Sequence, residues 1–479
     1  MYKFDTKVQH LKYKVLRTVA RHAWAGDFYK SALDIPKEII PGKTPTMRCC
    51  VYKERAILAE RVKLAAGGDR SDPNVIQAID IACDECPAEG YAVTEACRGC
   101  LAHRCEDACP RGAITHDENH HAHIDKSKCI NCGKCAKACP YGAIIDHERP
   151  CKMACKVGAI QMNEDGTVRI DDSRCTSCGA CVYRCPFGAV SDKSFILDVI
   201  NLLKSDFRVY ALPAPSIAGQ FTYAKPGQVM SGIKLLGFHK VVEVALGADI
   251  VAASEGAELA EKGFLTSSCC PAFVSFVRTQ FPSLASNISH NPSPMVAIAK
   301  FIKEKDPEAK TVFIGPCIAK KKEAQLPGAR EWIDCVLTFE ELQALFDSKD
   351  IDIATLPVSD VNDASGFGRA FARSGGLSEA AAEAIAEQKL DFEAKPLVCS
   401  GFDECRLALL KASKGKLDFN FIEGMACIGG CVNGSGCLTH NPTGLALVNA
   451  HGKQAQYRTI SEAVDNAENI VVEESEENE

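Results

Sequence analysis

CINCGKCAKACPYGAI, residues 129–144, and CTSCGACVYRCPFGAV, residues 175–190, are two copies of one pattern, and the surrounding chain is organised by it. In each, three cysteines stand three positions apart, a fourth follows after four, a proline comes next, and a Gly-Ala turn closes the unit. A looser copy runs through Cys97, Cys100, Cys105 and Cys109-Pro110, with the same turn at Gly112-Ala113. The stretches CPRGAITHDENHHAHIDKSKC (109–129) and CKVGAIQMNEDGTVRIDDSRC (155–175) overlay. Each spans 20 positions as a cysteine, a turn, a short hairpin and a return to the next cysteine group. Self-similarity of this kind defines an architecture before local propensities are weighed.

Three closely spaced thiolates suit three irons of a cubane while the remote fourth cysteine serves a neighbouring cluster, the wiring of bacterial two-cluster ferredoxins. A zinc ribbon would need two separated C-x2-C pairs and no third close cysteine. The 20-position gaps therefore point to two ferredoxin-like modules. In the first, Cys97, Cys100, Cys105 and Cys139 bind one cluster, and Cys129, Cys132, Cys135 and Cys109 another. In the second, Cys175, Cys178 and Cys181 take Cys155. Cys185, Cys151, Cys83 and Cys86 remain for a further cluster, with free buried thiols or a small zinc site as the alternative. The expectation is two to four accessory 4Fe–4S clusters from the 16 cysteines of residues 81–195. The adjacent Cys49 and Cys50 read as buried thiols, because neighbouring side chains rarely ligate one metal.

With 479 residues, 24% charged, and a net charge of −7, the chain has no basic excess that would suit nucleic acid. No run of eighteen apolar residues offers a membrane span, and the first twenty residues read as a charged amphipathic helix instead of a signal peptide. A cytoplasmic protein with 27 cysteines is expected to bind metal with them. Residues 1–80 read as a helical segment broken at Pro41-Gly42, and 81–195 as an α+β ferredoxin-like electron relay. Residues 196–470 read as an α/β domain with strand-like runs VYALPAP (209–215) and TVFIGPC (311–317) and a helix opened by a Thr338/Glu341 capping box. Residues 471–479 read as a disordered acidic tail.

Four further cysteines sit in three separated loops of the α/β domain, each after a strand-like run, where such folds place their sites. They are Cys270 in LTSSCCPAF, Cys317 in IGPCIAKKKEA, and Cys427 and Cys431 in EGMACIGGCVNGSGC. Gly429, Gly430, Gly434 and Gly436 crowd the last loop, as where backbone approaches a bulky inorganic cofactor. In order and character these segments resemble the three signature loops of [FeFe]-hydrogenases, over roughly residues 210–440. The resemblance implies reversible formation of H2 from protons and electrons at an H-cluster. In it a 4Fe–4S cubane on Cys270, Cys317, Cys427 and Cys431 is joined through Cys431 to a two-iron centre with CO, cyanide and azadithiolate ligands.

The same resemblance places a proton-donating thiol at Cys269 and relay carboxylates at Glu255 and Glu258, three apart on one helix face. It places a relay serine at Ser289 in NISHNPSP, a lysine facing a cyanide ligand at Lys320, and packing residues at Met425, Pro215 and Ser216. Lys321 and Lys322 read as surface charges. It also implies H-cluster maturation proteins and a ferredoxin or other redox protein as partners. Phe273 where tryptophan is usual, Gly315 where methionine is usual, and Cys437-Leu438 depart from the family pattern, and the cysteine-rich front end resembles its group B branch. Other readings are a hydrogen-sensing or iron–sulfur-assembly relative without turnover, and a polyferredoxin, which leaves the three loops unexplained.

Overall fold

Short antiparallel pairs build the cysteine-rich region of the structure, a computed structural model that describes residues 4–84, 86 and 89–468. The tail expected at 471–479 lies outside the described residues. In chain order the strands are β1 (Ile76–Ala78), β2 (Gly90–Val93), β3 (Ile114–His116), β4 (Ala122–Ile124), β5 (Ile144–His147), β6 (Ile160–Met162), β7 (Val168–Ile170) and β8 (Val190–Asp192). β3–β4 and β6–β7 form two inner hairpins, while β2 pairs with β5 and β1 with β8. The pairing is nested. β1 joins β8 across the whole region, so the β2–β5 unit is an excursion inserted into the module that β1 begins, and that module reaches back past residue 81 to Ile76.

The Gly-Ala turns have a local cause. Gly112, Gly142, Gly158 and Gly188 all take φ between 56° and 65°, open to glycine at no steric cost. That turn aims the next amide back at the cysteine four residues before the alanine. The amides of Ala113, Ala143, Ala159 and Ala189 donate to the Sγ of Cys109, Cys139, Cys155 and Cys185 at 3.2–3.4 Å. At Cys109 the Ala113 N–H is the first of several backbone donors that lower the thiol toward the thiolate, the form that binds metal.

Seven more strands follow: β9 (Val209–Pro213), β10 (Lys240–Val241), β11 (Leu265–Thr266), β12 (Lys310–Gly315), β13 (Cys335–Thr338), β14 (Pro396–Ser400) and β15 (Phe421–Met425). They form two parallel sheets, ordered β10-β9-β12-β13 and β11-β15-β14. Parallel sheets are covered on both faces, which is why Val209–Pro213 is apolar and buried throughout. Thr338 and Glu341 form a reciprocal capping box that starts the helix Phe339–Ser348.

The N-terminal helix Lys7–Ala25 does not stand apart. Its Tyr13, Leu16, Val19 and Ala20 share one core with Leu342, Leu345 and Phe346. Burying each large side chain contributes about 1.5–3 kcal/mol, so the helix is held mainly by that contact. The expectation for the cysteine pair fails: Cys49 is exposed and Cys50 half-buried. Cys50 caps the helix Val51–Ala65, its Sγ accepting from the Lys53 amide at 3.4 Å, and a cap at an open helix end stays near solvent. No helix among the described residues is long and apolar enough to cross a membrane.

Candidate active site

Cys270 follows β11, Cys317 follows β12, Cys427 follows β15 and Pro215 follows β9, so all four loops open on the carboxyl ends of parallel strands, the usual site of an α/β sheet. Every pair among the thiols of Cys270, Cys317, Cys427 and Cys431 interacts electrostatically. Burial first, and mutual repulsion second, pushes Cys431 up to about 12 and the Cys317 and Cys427 thiols well up. Four thiolates crowded at half-buried positions are tolerable only with a positive centre among them, so the donor set fits an iron–sulfur cubane. Lys320 is buried at its edge, donating to the Cys269 carbonyl at 3.2 Å and paired with Glu323 at 2.7 Å. Met425 and Ser216 are buried, and Ser216 Oγ has no hydrogen-bond partner among the described residues. Pro215 opens the short 3-10 turn that carries this serine.

Cys269 lies beside this set. Burial, then the charges of Cys270, Glu255 and Cys431, holds its thiol well above the ordinary range. Glu255 sits on the helix Val244–Lys262 with both carboxyl oxygens buried and without a hydrogen-bond partner among the described residues. Burial, reinforced by the charge of Glu258 and only moderated by nearby Ser289, pushes Glu255 up to about 8. Ser289 Oγ donates to Glu258 Oε2 at 2.9 Å. Glu258 is the opposite case: partial burial pushes it up, but Lys262 at 2.7 Å and His290 at 2.6 Å outweigh that and hold it at about 2. The structure thus brings Cys269, Glu255, Ser289 and Glu258 into one line that ends at His290, whose side chain is 74% exposed.

Three partners of Glu258 escaped the sequence reading: Lys262, His290 and Asn291, whose Nδ2 donates to Oε2 at 2.9 Å. A signal existed, since Lys262 is four residues after Glu258 on one helix and the other two follow Ser289 directly. Two expectations are corrected. Lys321 is no surface charge: its side chain is fully buried between Asp192 and Glu341. Lys322 is partly buried, paired with Asp172 at 3.1 Å and donating to the Pro73 carbonyl at 2.9 Å. The crowded glycines close on protein. A Cβ at Gly430, at φ 92°, would stand 2.6 Å from the Ser374 amide, and one at Gly434 would stand 2.4 Å from the Pro316 carbonyl. The first contact seats the Cys431 loop on the Ala372–Ser374 segment, and the second locks it against the Cys317 loop.

The remaining cysteines fall into four groups. Cys97, Cys100, Cys105 and Cys139 line one pocket, and Cys109, Cys129, Cys132 and Cys135 another. Every pair among Cys155, Cys175, Cys178 and Cys181 interacts, with burial first and these neighbours second pushing Cys178 up to about 11. Cys151, pushed up to about 11 by burial and then by Cys185, Cys83 and Cys86, gathers the last group. Cys178 also meets the active site, where Ser435 Oγ donates to its carbonyl at 2.9 Å.

Residues 207–435 match the family model described as iron only hydrogenase large subunit, C-terminal domain, and residues 96–143 and 149–189 match a 4Fe-4S dicluster domain. The chain is 31% identical over 380 residues to the periplasmic [Fe] hydrogenase large subunit of Nitratidesulfovibrio vulgaris, covering 67% of this chain and 87% of that protein. It is 30% identical over 383 residues to iron hydrogenase 1 of Clostridium pasteurianum, covering 68% of this chain and 66% of that one. A solved [FeFe]-hydrogenase structure overlays with a TM-score of 0.48 at 20% identity, over 56% of this chain and 93% of that one. On the extent of the first relative's match, the chain belongs to the iron-only hydrogenase large-subunit family.

Proposed function

We propose that the chain is a hydrogenase that interconverts protons, electrons and H2, with electrons relayed by 4Fe–4S clusters and protons by buried side chains. One observation carries this reading: four mutually interacting, half-buried thiols, a buried fifth beside them at Cys269, and a line of polar groups from Cys269 to the surface. Cys270, Cys317, Cys427 and Cys431 would hold the cubane of an H-cluster, with Pro215, Ser216 and Met425 packed about its two-iron part. When bound, that cofactor supplies the site at which hydrogen is split or formed.

The side chains do the rest. Lys320, anchored by Glu323, presents a fixed ammonium into a dry pocket. Cys269 Sγ gives and takes the proton. Glu255, at about 8, is neutral at pH 7 and stores a proton beside that thiol, while Glu258, at about 2, stays a carboxylate and accepts the Ser289 hydroxyl. The inner carboxyl is thereby kept loaded. Electrons would pass from the Cys97 and Cys109 groups through the Cys83–Cys86–Cys151–Cys185 group to Cys155–Cys175–Cys178–Cys181, the group that touches the active-site loop. A ferredoxin or other redox protein is the proposed partner, dedicated proteins insert the two-iron centre, and the cytoplasm is the proposed compartment.

The test is metal analysis with infrared spectroscopy after anaerobic maturation. Four relay cubanes and an H-cluster give about 22 irons per chain. CO and cyanide bands should appear, and their absence from a matured sample rejects the reading in favour of an assembly factor or electron carrier.

Glu255 also makes a pH prediction. Its folded value of about 8 exceeds its ordinary 4.5, so the folded state holds the extra proton between these values. Stability is intact below pH 4.5 and declines as pH rises toward 8, by up to about 5 kcal/mol. Glu255→Gln, which mimics the neutral form, should melt like the parent at pH 4.5 and several degrees higher at pH 9. Melting curves that stay parallel across that range would show Glu255 ionised at neutral pH.

A further inference from the structure

Lys321 stands where three parts of the chain meet. Its ammonium donates to Asp192 Oδ2 at 2.7 Å, Glu341 Oε1 at 2.9 Å and the Lys193 carbonyl at 2.8 Å, so all three protons are taken. Asp192 ends β8 of the relay region, and Glu341 belongs to the capping box after β13. Lys321 itself lies on the short helix Ile318–Glu323, which begins at Cys317. The other oxygen of Asp192 takes Lys12 of the N-terminal helix at 2.5 Å, and Lys12 also reaches Glu340 at 2.7 Å. The side chains of Lys321, Asp192 and Glu341 are 0% exposed.

Such a network is a poor way to gain stability. Each buried ion costs several kcal/mol to desolvate, and apolar replacements of matching volume are often as stable. What the ions impose is geometry, because a shift of any partner leaves a charge buried and unpaired. The shift that matters here is that of the relay region against the active site. Lys321 grips Asp192 on one side of its helix, while its neighbour Lys320 reaches the Cys269 carbonyl on another. Glu341 completes the grip: its Oε2 accepts from the Thr338 amide at 2.6 Å, and the adjoining Phe339 amide donates to the Gly436 carbonyl at 3.2 Å, in the loop after Cys431. One residue further back, Ser435 holds the Cys178 carbonyl.

We propose that Asp192, Lys321 and Glu341 are positioning residues that set the separation between the Cys155–Cys175–Cys178–Cys181 group and the Cys270–Cys317–Cys427–Cys431 group. This deepens the function proposed above and rests on both groups holding clusters. Neither ligand set includes them, and they act only by holding the Cys317 segment, β8 and the Cys431 loop in register.

The test uses the matured full chain with Lys321→Met, and with Lys321→Met/Glu341→Gln, which removes the two facing charges together and leaves Asp192 its Lys12 partner, protecting folding. Two quantities are read: the dipolar coupling between the two reduced clusters by pulsed electron paramagnetic resonance, and the rate of electron transfer between them after flash reduction. The proposal expects unchanged iron content, a shifted coupling and a rate lower by about tenfold or more in the double variant, as for other small misplacements of reacting groups. Parental coupling and rate in a folded, iron-replete double variant would overturn it. A parent chain without two coupled cluster signals would instead remove the underlying reading.

Discussion

Cys269→Ala is expected to keep the iron content and infrared bands of the parent and to lose turnover by about 10²- to 10⁴-fold, the range for a positioned proton donor. The separation of effects follows from position. Cys269 is outside the four-thiol set but adjacent to Cys270 and under the charges of Cys270, Glu255 and Cys431. Its removal leaves every proposed cluster ligand in place. It also leaves the Cys269 carbonyl, so the Lys320 ammonium keeps its 3.2 Å acceptor. What disappears is a side chain that faces both Glu255 and Cys270. Cys269→Ser is expected to recover little, because a hydroxyl is a much weaker acid than a thiol in the same buried place. Hydrogen evolution with a chemical reductant, alongside infrared spectra of the same sample, checks this. Parental turnover would take Cys269 out of the proton path.

The second large effect is on stability. Arg369 is 1% exposed and grips Glu243 with Nε at 2.9 Å and Nη2 at 2.8 Å. Nη2 also donates to the Val361 carbonyl at 3.0 Å and Asn362 Oδ1 at 2.8 Å. Glu243 is the N-cap residue of Val244–Lys262, the helix that carries Glu255 and Glu258. Arg369→Met leaves the buried Glu243 carboxylate only His451 at 3.4 Å and the Asp363 amide at 3.0 Å, and should cost about 3–5 kcal/mol. Adding Glu243→Gln should restore part of that loss, because the stranded charge is then gone. Thermal and denaturant melts of the three proteins decide the matter; a loss under about 1 kcal/mol in the single variant would show that water reaches Glu243.

The relay region was legible because its signals are local. Fixed cysteine spacings and a glycine that must take positive φ specify turns within a few residues; three of the four cysteine groups are those the spacing pairs, and the fourth, Cys83, Cys86, Cys151 and Cys185, is the remainder. The active-site loops were legible for a related reason, since β9 and β12 are apolar runs of the kind buried parallel strands need, whereas β11 is two residues long and β15 carries the buried Glu423. Burial of charge was not legible. In the run Lys320-Lys321-Lys322, successive residues leave the helix in different directions, and their surroundings depend on Asp192 and Asp172, more than a hundred positions away. Likewise, Glu255 and Glu258 share a helix face by spacing alone, but their opposite acidities arise from Lys262, His290 and the depth of the inner carboxyl. The glycines of the Cys431 loop read as room for a cofactor, whereas Gly430 and Gly434 meet the backbone of Ser374 and Pro316.

The nested pairing of β1 with β8 bears on how a chain of this family can change its electrical reach. The excursion leaves after Cys86 and returns at Cys151, and its two ends meet where Gly90 pairs with His147. A segment whose entry and exit touch can be shortened, duplicated or exchanged as a cassette while the catalytic chamber keeps its walls. Adaptation to a new electron donor would then be a matter of refitting the socket and leaving the engine alone.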